Sequence, residues 1–150
     1  MLMRRIAGVL PFDRNERHSS LIIFLAMIVA LLFATGAALD YARVVNMREG
    51  IALAVNAASA AGLEAMDDTA LTDEGIKAIV LSHFDKVATL ARHVGTVASP
   101  SISIDRQAGA ITVDAKGSVA MVISSWCGVR QVAVPATSTA SRAPRNADAL

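Results

Sequence analysis

The sequence predicts an α+β protein in which a single N-terminal transmembrane helix continues into a long helix outside the bilayer, followed by an amphipathic helix and a small antiparallel three-stranded sheet. Three observations carry that reading. Ser19 to Leu39 holds no charged side chain, and as a helix rising ~1.5 Å per residue it reaches ~30 Å, the thickness of a bilayer's hydrocarbon core. Apolar and small residues then recur at helical spacing as far as Ala65. Beyond residue 100, segments alternate with period two between turn residues. The chain divides accordingly into a basic tail (1–18), the transmembrane helix (19–39), an exported α+β domain (40–140) and a disordered tail (141–150).

Bulk composition agrees. The 150 residues are 54% hydrophobic with a mean hydropathy of +0.50, more apolar than an ordinary soluble domain, and only one modest fold fits outside the apolar run. The formal net charge of +1 is built from interspersed acids and bases, which gives no field for a nucleic acid or an acidic substrate. Cys127 is the single cysteine, so neither an intrachain disulfide nor a cysteine-rich metal site is available. A buried small hydrophobe is its expected role, with a free thiol or an intermolecular link as alternatives.

The flanks of the apolar run set its direction. Arg4, Arg5, Arg14 and Arg17 precede it, whereas an equal length after it holds Arg43 and Arg48. This excess favours a cytoplasmic N-terminus and puts the residues after Leu39 in the periplasm of a double-membrane bacterium. Asp40 and Tyr41 stand where headgroups begin, Asp40 as a hydrated end to the span or as a specific contact with Arg43 or a partner's charge, and Tyr41 as an interface anchor. Small residues at Ala34-Thr35-Gly36-Ala37-Ala38 also suit signal-peptide cleavage, although the run is longer than the usual apolar region of a signal. A type IV prepilin leader is disfavoured, because Gly8 does not adjoin the run and no Glu lies within it.

Past Leu39, Val44, Met47, Ile51, Ala54, Ala58, Ala61 and Ala65 form a narrow stripe of alternating three- and four-residue steps, with Arg43, Asn46, Glu49, Asn56 and Glu64 off it. Only Gly36, Gly50 and Gly62 weaken the helix, each by ~1 kcal/mol against Ala where exposed. The stripe packs either on the chain's own domain, expected for Ala58 and Ala61, or on other subunits, expected for Val44 and Met47 near the bilayer. Asp67-Asp68-Thr69 ends the pattern. Thr72 then caps a second helix with Asp73 and Glu74 in its first turn, and Ile76, Ile79, Val80, Phe84, Val87, Leu90, Ala91 and Val94 make its apolar stripe. Gly95 follows as its C′ residue.

Ser101 to Asp105 and Ala110 to Ala115 alternate around Gln107-Ala108-Gly109, the pattern of a β-hairpin. Val129 to Thr139 is a third strand, with Val132, Val134 and Ala136 on one face and Pro135 marking an edge. Val119 to Gly128 joins them as a short helical or irregular turn, with Trp126 expected against the core.

The Arg-rich start, the single apolar span, Leu39-Asp40-Tyr41-Ala42-Arg43 and the Ala-rich run Ala52 to Gly62 together resemble the N-terminal region of the TadE/TadG-like proteins of Tad (Flp) pilus assembly. Cys127-Gly128-Val129, followed by a Val- and Ala-rich strand ending in Ser138-Thr139-Ala140, is similar to the end of small TadG-like members. The chain departs from the pattern with His18-Ser19 just before the span and Val29-Ala30 within it, where a Gly and a Pro are common, and it lacks the large extra domain of longer members. The resemblance implies a pilin-like, bitopic envelope component of a pilus or related secretion apparatus. Its partners would be the lipid bilayer, other pilus-assembly or minor pilin-like membrane subunits and, optionally, further copies of itself.

Catalytic constellations are scarce. His83 and His93, with Asp85 between them, fall roughly 80° apart on a helix advancing ~100° per residue. Ser124-Ser125 lacks a nucleophile-elbow setting, and no phosphate-cradling Gly loop is present. The expectation is a non-enzymatic inner-membrane structural or assembly subunit without cofactor or metal, whose membrane-interface and subunit-contact residues are Asp40, Tyr41, Arg43, Val44 and Met47. The alternative is a periplasmic binding module, secreted or tethered, released by signal cleavage.

Overall fold

Without a proline from Asn15 to Ala65, and with alanine at most stripe positions, nothing interrupts the i→i−4 ladder, and these residues form one helix, α1 (Asn15–Ala65). The structure is a computed structural model that describes residues 15–142. The basic residues Arg4, Arg5 and Arg14 and the tail from residue 143 onward lie outside the described residues. By its contacts the chain divides into two compact units, Met1–Thr35 and Gly36–Leu150, with α1 contributing to both.

In the first unit the apolar side chains face outward all round. Leu21, Ile22, Phe24, Met27, Leu31 and Leu32 are between 64% and 69% exposed, far more contiguous apolar surface than a soluble helix shows to water. Thr35 donates its hydroxyl to the Leu31 carbonyl at 2.8 Å, which satisfies the polar group inside the helix itself. Among the described residues, one helix is long and apolar enough to cross a membrane, as expected of a membrane-anchored chain.

The second unit is α+β. After α1 come α2 (Asp73–Val87), α3 (Thr89–Val94), β1 (Thr96–Val97), β2 (Ser101–Asp105), β3 (Ala110–Ala120), a 3₁₀ turn (Ser124–Cys127) and β4 (Gln131–Ser141). Thr72 caps α2, its hydroxyl accepting from the Gly75 N–H at 3.2 Å. The sheet is antiparallel, with β3 at its centre, β4 along one edge and β2 and β1 end to end along the other. It therefore has four strands rather than three. The additional one arises because Ala98 to Pro100 face only Ala115 and Lys116, a one-residue bulge between β1 and β2. Pro100 has no N–H to continue the ladder there. Pro135 sits in β4, an edge strand, as its chemistry requires.

Alternation along β3 places Ile111, Val113, Ala115, Gly117, Val119 and then Met121 inward, under the helices. The other face carries polar pairs, among them Thr112–Thr139 at 3.0 Å and Thr96–Ser118 at 2.7 Å. From α1 the core takes Met47, Ile51, Ala54, Val55 and Ala58, and from the second helical region Ile76, Val80, Phe84, Ala88 and Ala91. Close approach of helix and sheet rests on missing side chains. A Cβ at Gly117 would meet the Met47 Cε at 2.4 Å and the Ile51 Cδ1 at 2.5 Å, and one at Gly62 would meet Val80 at 2.6 Å.

The stripe on α1 faces the chain's own sheet at Ala54 and Ala58, and so do Met47, fully buried, and Val44, packed against the core. The expected outward, intersubunit role of Met47 is corrected by Gly117, whose bare backbone leaves the space that Met47 fills; Val44 is only partly buried. Ala58→Leu is accordingly expected to destabilise the domain by ~1–3 kcal/mol through overpacking, read as a lower thermal midpoint of the full chain in detergent. An unchanged midpoint would contradict the packing.

Two further expectations change. The second helix is divided at Ala88 into α2 and α3, and Thr89 donates its hydroxyl to the Lys86 carbonyl at 3.1 Å at the break. Gly95 is not a left-handed C′ residue: its φ of −169° is extended, and glycine is needed for space, since a Cβ would meet the Ser118 carbonyl oxygen at 2.3 Å.

Candidate functional site

Two four-residue steps back along α1 from Val44 stand Asp40 and then Gly36, both buried. A carboxylate therefore points to the side of the helix that faces the domain, and Asp40 is only 3% exposed. Its partners come from the loop between β3 and β4. Asp40 Oδ1 accepts from the Val122 N–H at 3.0 Å, and Oδ2 accepts from the N–H groups of Ile123 at 2.9 Å and Ser124 at 2.8 Å. The carboxylate thus satisfies donors at the start of the 3₁₀ turn that the chain's own ladder leaves open. These bonds favour the charged form. The Ser124 backbone N–H acts most strongly, then that of Val122, against an opposing penalty from burial, and together they hold the carboxyl at about 2 instead of 3.8.

Arg43, one turn further along α1, completes the attachment with the opposite polarity. Its Nη1 donates to the Ala120 carbonyl at 3.0 Å, where β3 ends, and its Nη2 to the Val94 carbonyl at 3.3 Å, where α3 ends. Carboxylate and guanidinium each bind backbone, not one another, so Arg43 is not the partner Asp40 takes. Below them, a Cβ at Gly36 would lie 2.2 Å from the Ile123 Cγ1. The Ile123 side chain occupies the notch that this glycine leaves.

The loop so held is closed by its own bonds. Met121 N–H donates to the Arg130 carbonyl at 3.0 Å, Ser125 Oγ donates to the Val122 carbonyl at 2.6 Å, and the Gly128 and Val129 N–H groups donate to Ser125 and Ser124 carbonyls at 3.1 Å. Gly128 takes φ 92°, a left-handed conformation that suits glycine. The expectation that Trp126 packs on the core is corrected: it is 81% exposed, and Val122 and Val129 are 59% and 47% exposed. Cys127 is exposed too, not buried. Ile123 takes the inward position instead, because the Gly36 notch accepts one side chain from this turn. Tyr41 is exposed.

Of the five residues singled out from the sequence, Asp40 and Arg43 meet at this attachment, Met47 belongs to the core, Val44 is half-buried against it, and Tyr41 stands at the surface. Gly36 and the 120–124 segment were not singled out. The signal that reaches them is the stripe itself, since an ionisable residue at a core-facing position needs buried partners.

Elsewhere, Asp85 pairs with Arg92 at 2.5 Å, and among the described residues no group of three or more His, Cys, Asp or Glu is placed to hold a metal ion. A shallow hollow of about 310 Å³ is lined by Asn46, Glu49, Gly50, Leu53, Leu90 and Val94, with one titratable side chain and no acid–base pair. No protein-family model matches the chain, and no curated protein or solved structure matches it.

Proposed function

We propose that this protein is a bitopic, non-catalytic structural or assembly subunit of a bacterial envelope, anchored in the inner membrane with its N-terminus in the cytoplasm and its α+β domain in the periplasm. The assembly it serves is a Tad (Flp) pilus or a related secretion apparatus, in keeping with the sequence resemblance. The observation that carries the reading is α1, whose apolar, outward-facing first part and core-forming second part belong to one helix. The Asp40-Tyr41-Ala42-Arg43 stretch that bears the resemblance also ties the domain to the helix through Asp40 and Arg43. Release by cleavage near Ala37 would remove Gly36 and leave Asp40 in a fraying first turn, which argues for retention of the anchor.

Alkaline phosphatase fused after Leu150 is expected to be active in cells, and N-terminal sequencing of the membrane fraction is expected to return Arg4 and Arg5. An inactive fusion would overturn the orientation. A mature protein beginning near Ala37 would favour the released binding module instead.

A further inference from the structure

The turn after β3 reaches back along α1 to residues that the sequence places inside the apolar run. Ile123 fills the notch at Gly36, three residues before the run ends at Leu39, and Asp40 binds the turn from the first position beyond that end. A segment fixed to both positions sits at the depth where hydrocarbon gives way to headgroups. On this segment Val122, Trp126 and Val129 are exposed, and so are Leu39 and Tyr41, the α1 residues on either side of Asp40, at 64% and 72%. Large apolar side chains on a loop tip are costly in water, whereas an indole and a phenol are the side chains that bilayer interfaces accept best.

We propose that the β3–β4 loop is a second membrane contact, in which Val122, Trp126 and Val129 enter the headgroup layer of the leaflet that borders the domain, with Tyr41 beside them. The partner is the lipid surface itself. α1 supplies the anchor, and the loop fixes how the domain stands on the bilayer, so that whatever the domain assembles with meets it in one orientation. Asp40 and Gly36 act here as positioning residues, since they hold the loop and need not touch lipid. This inference rests on the membrane-anchor reading above.

Trp126 is the single tryptophan, so its fluorescence reports on the loop without substitution. The full chain is reconstituted into phosphatidylcholine vesicles and recovered by flotation. Matched vesicles carry bromine near the carbonyl end or near the methyl end of the acyl chains. The expected result is blue-shifted emission that loses most of its intensity to carbonyl-end bromine, less to methyl-end bromine, and little to aqueous iodide. Asp40→Asn is expected to shift the emission to the red and restore iodide quenching while the chain still floats with the vesicles. A floating wild-type chain whose Trp126 is quenched by iodide, or shielded from both iodide and bromine by protein, overturns the loop contact alone. Stronger quenching from the methyl end also overturns it, since the indole would then lie in the hydrocarbon core. A chain that fails to float overturns the anchor and the loop contact together.

Discussion

Phe84→Ala is expected to destabilise the extramembrane domain by ~3–5 kcal/mol, a large share of the ~5–15 kcal/mol that holds a typical domain folded. Among the described residues Phe84 is the largest of the fully buried side chains and is wholly excluded from solvent. It stands at the end of the α2 stripe Ile76, Val80, Phe84, just before Ala88, where the helix breaks so that α3 can lay Ala91 against Gly50. Truncation leaves a void under that corner which Ala88 and Ala91 are too short to fill. Urea unfolding of the full chain in mild detergent, followed by circular dichroism, would show a lower midpoint with an unchanged slope. A loss below ~1 kcal/mol would mean that the corner collapses around the void, and that the core is less tightly specified than the burial implies.

The elements themselves were legible because each obeys one local rule. The three-four stripe on α1, the Thr72 cap with its acidic first turn, and the alternation around Gly109 all depend on neighbours in sequence. The departures share a different cause. Gly95 passes the Ser118 carbonyl too closely for a side chain, a contact with β3 that the helical pattern before it does not contain. The β1–β2 bulge depends on which residues of β3 stand opposite Pro100. Size and apolarity predict Trp126 inward, but the inward position in that turn belongs to Ile123 through its fit to Gly36. Glycine on α1 reads from sequence as a helix-weakening residue, and only the fold shows that Gly36, Gly50 and Gly62 are places where another element touches the helix. Closeness to the bilayer suggests a subunit contact for Met47, an argument from position along the chain that the space above Gly117 overrides.

Asp40→Asn is expected to free the β3–β4 loop while leaving the domain folded. The asparagine side chain keeps the shape of aspartate but has one acceptor oxygen, so its NH₂ group must face a backbone N–H among Val122, Ile123 and Ser124, where the carboxylate now accepts three bonds. An unmatched donor shielded from water is worse than none, and the loop opens to rehydrate it. Arg43 still binds the Ala120 and Val94 carbonyls, so β3 and α3 keep their places. By hydrogen exchange, the amides of 122–124 are expected to exchange at least ~10-fold faster in the variant, with those of β3 paired to β4 unaffected. The same bonds set a pH dependence in the wild type. The folded-state pKa of about 2 lies below the ordinary value of 3.8, so the carboxylate's contribution is complete above about pH 4 and is lost as the pH falls through about 2. Protection of these amides in the wild type should therefore hold at pH 4 and decline toward pH 2, whereas the Asn variant, with nothing to protonate at that position, should show no such decline of its own. Wild-type and variant loops that exchange alike at pH 7 would remove Asp40 from the attachment and leave the loop's position to Ile123 and Gly36.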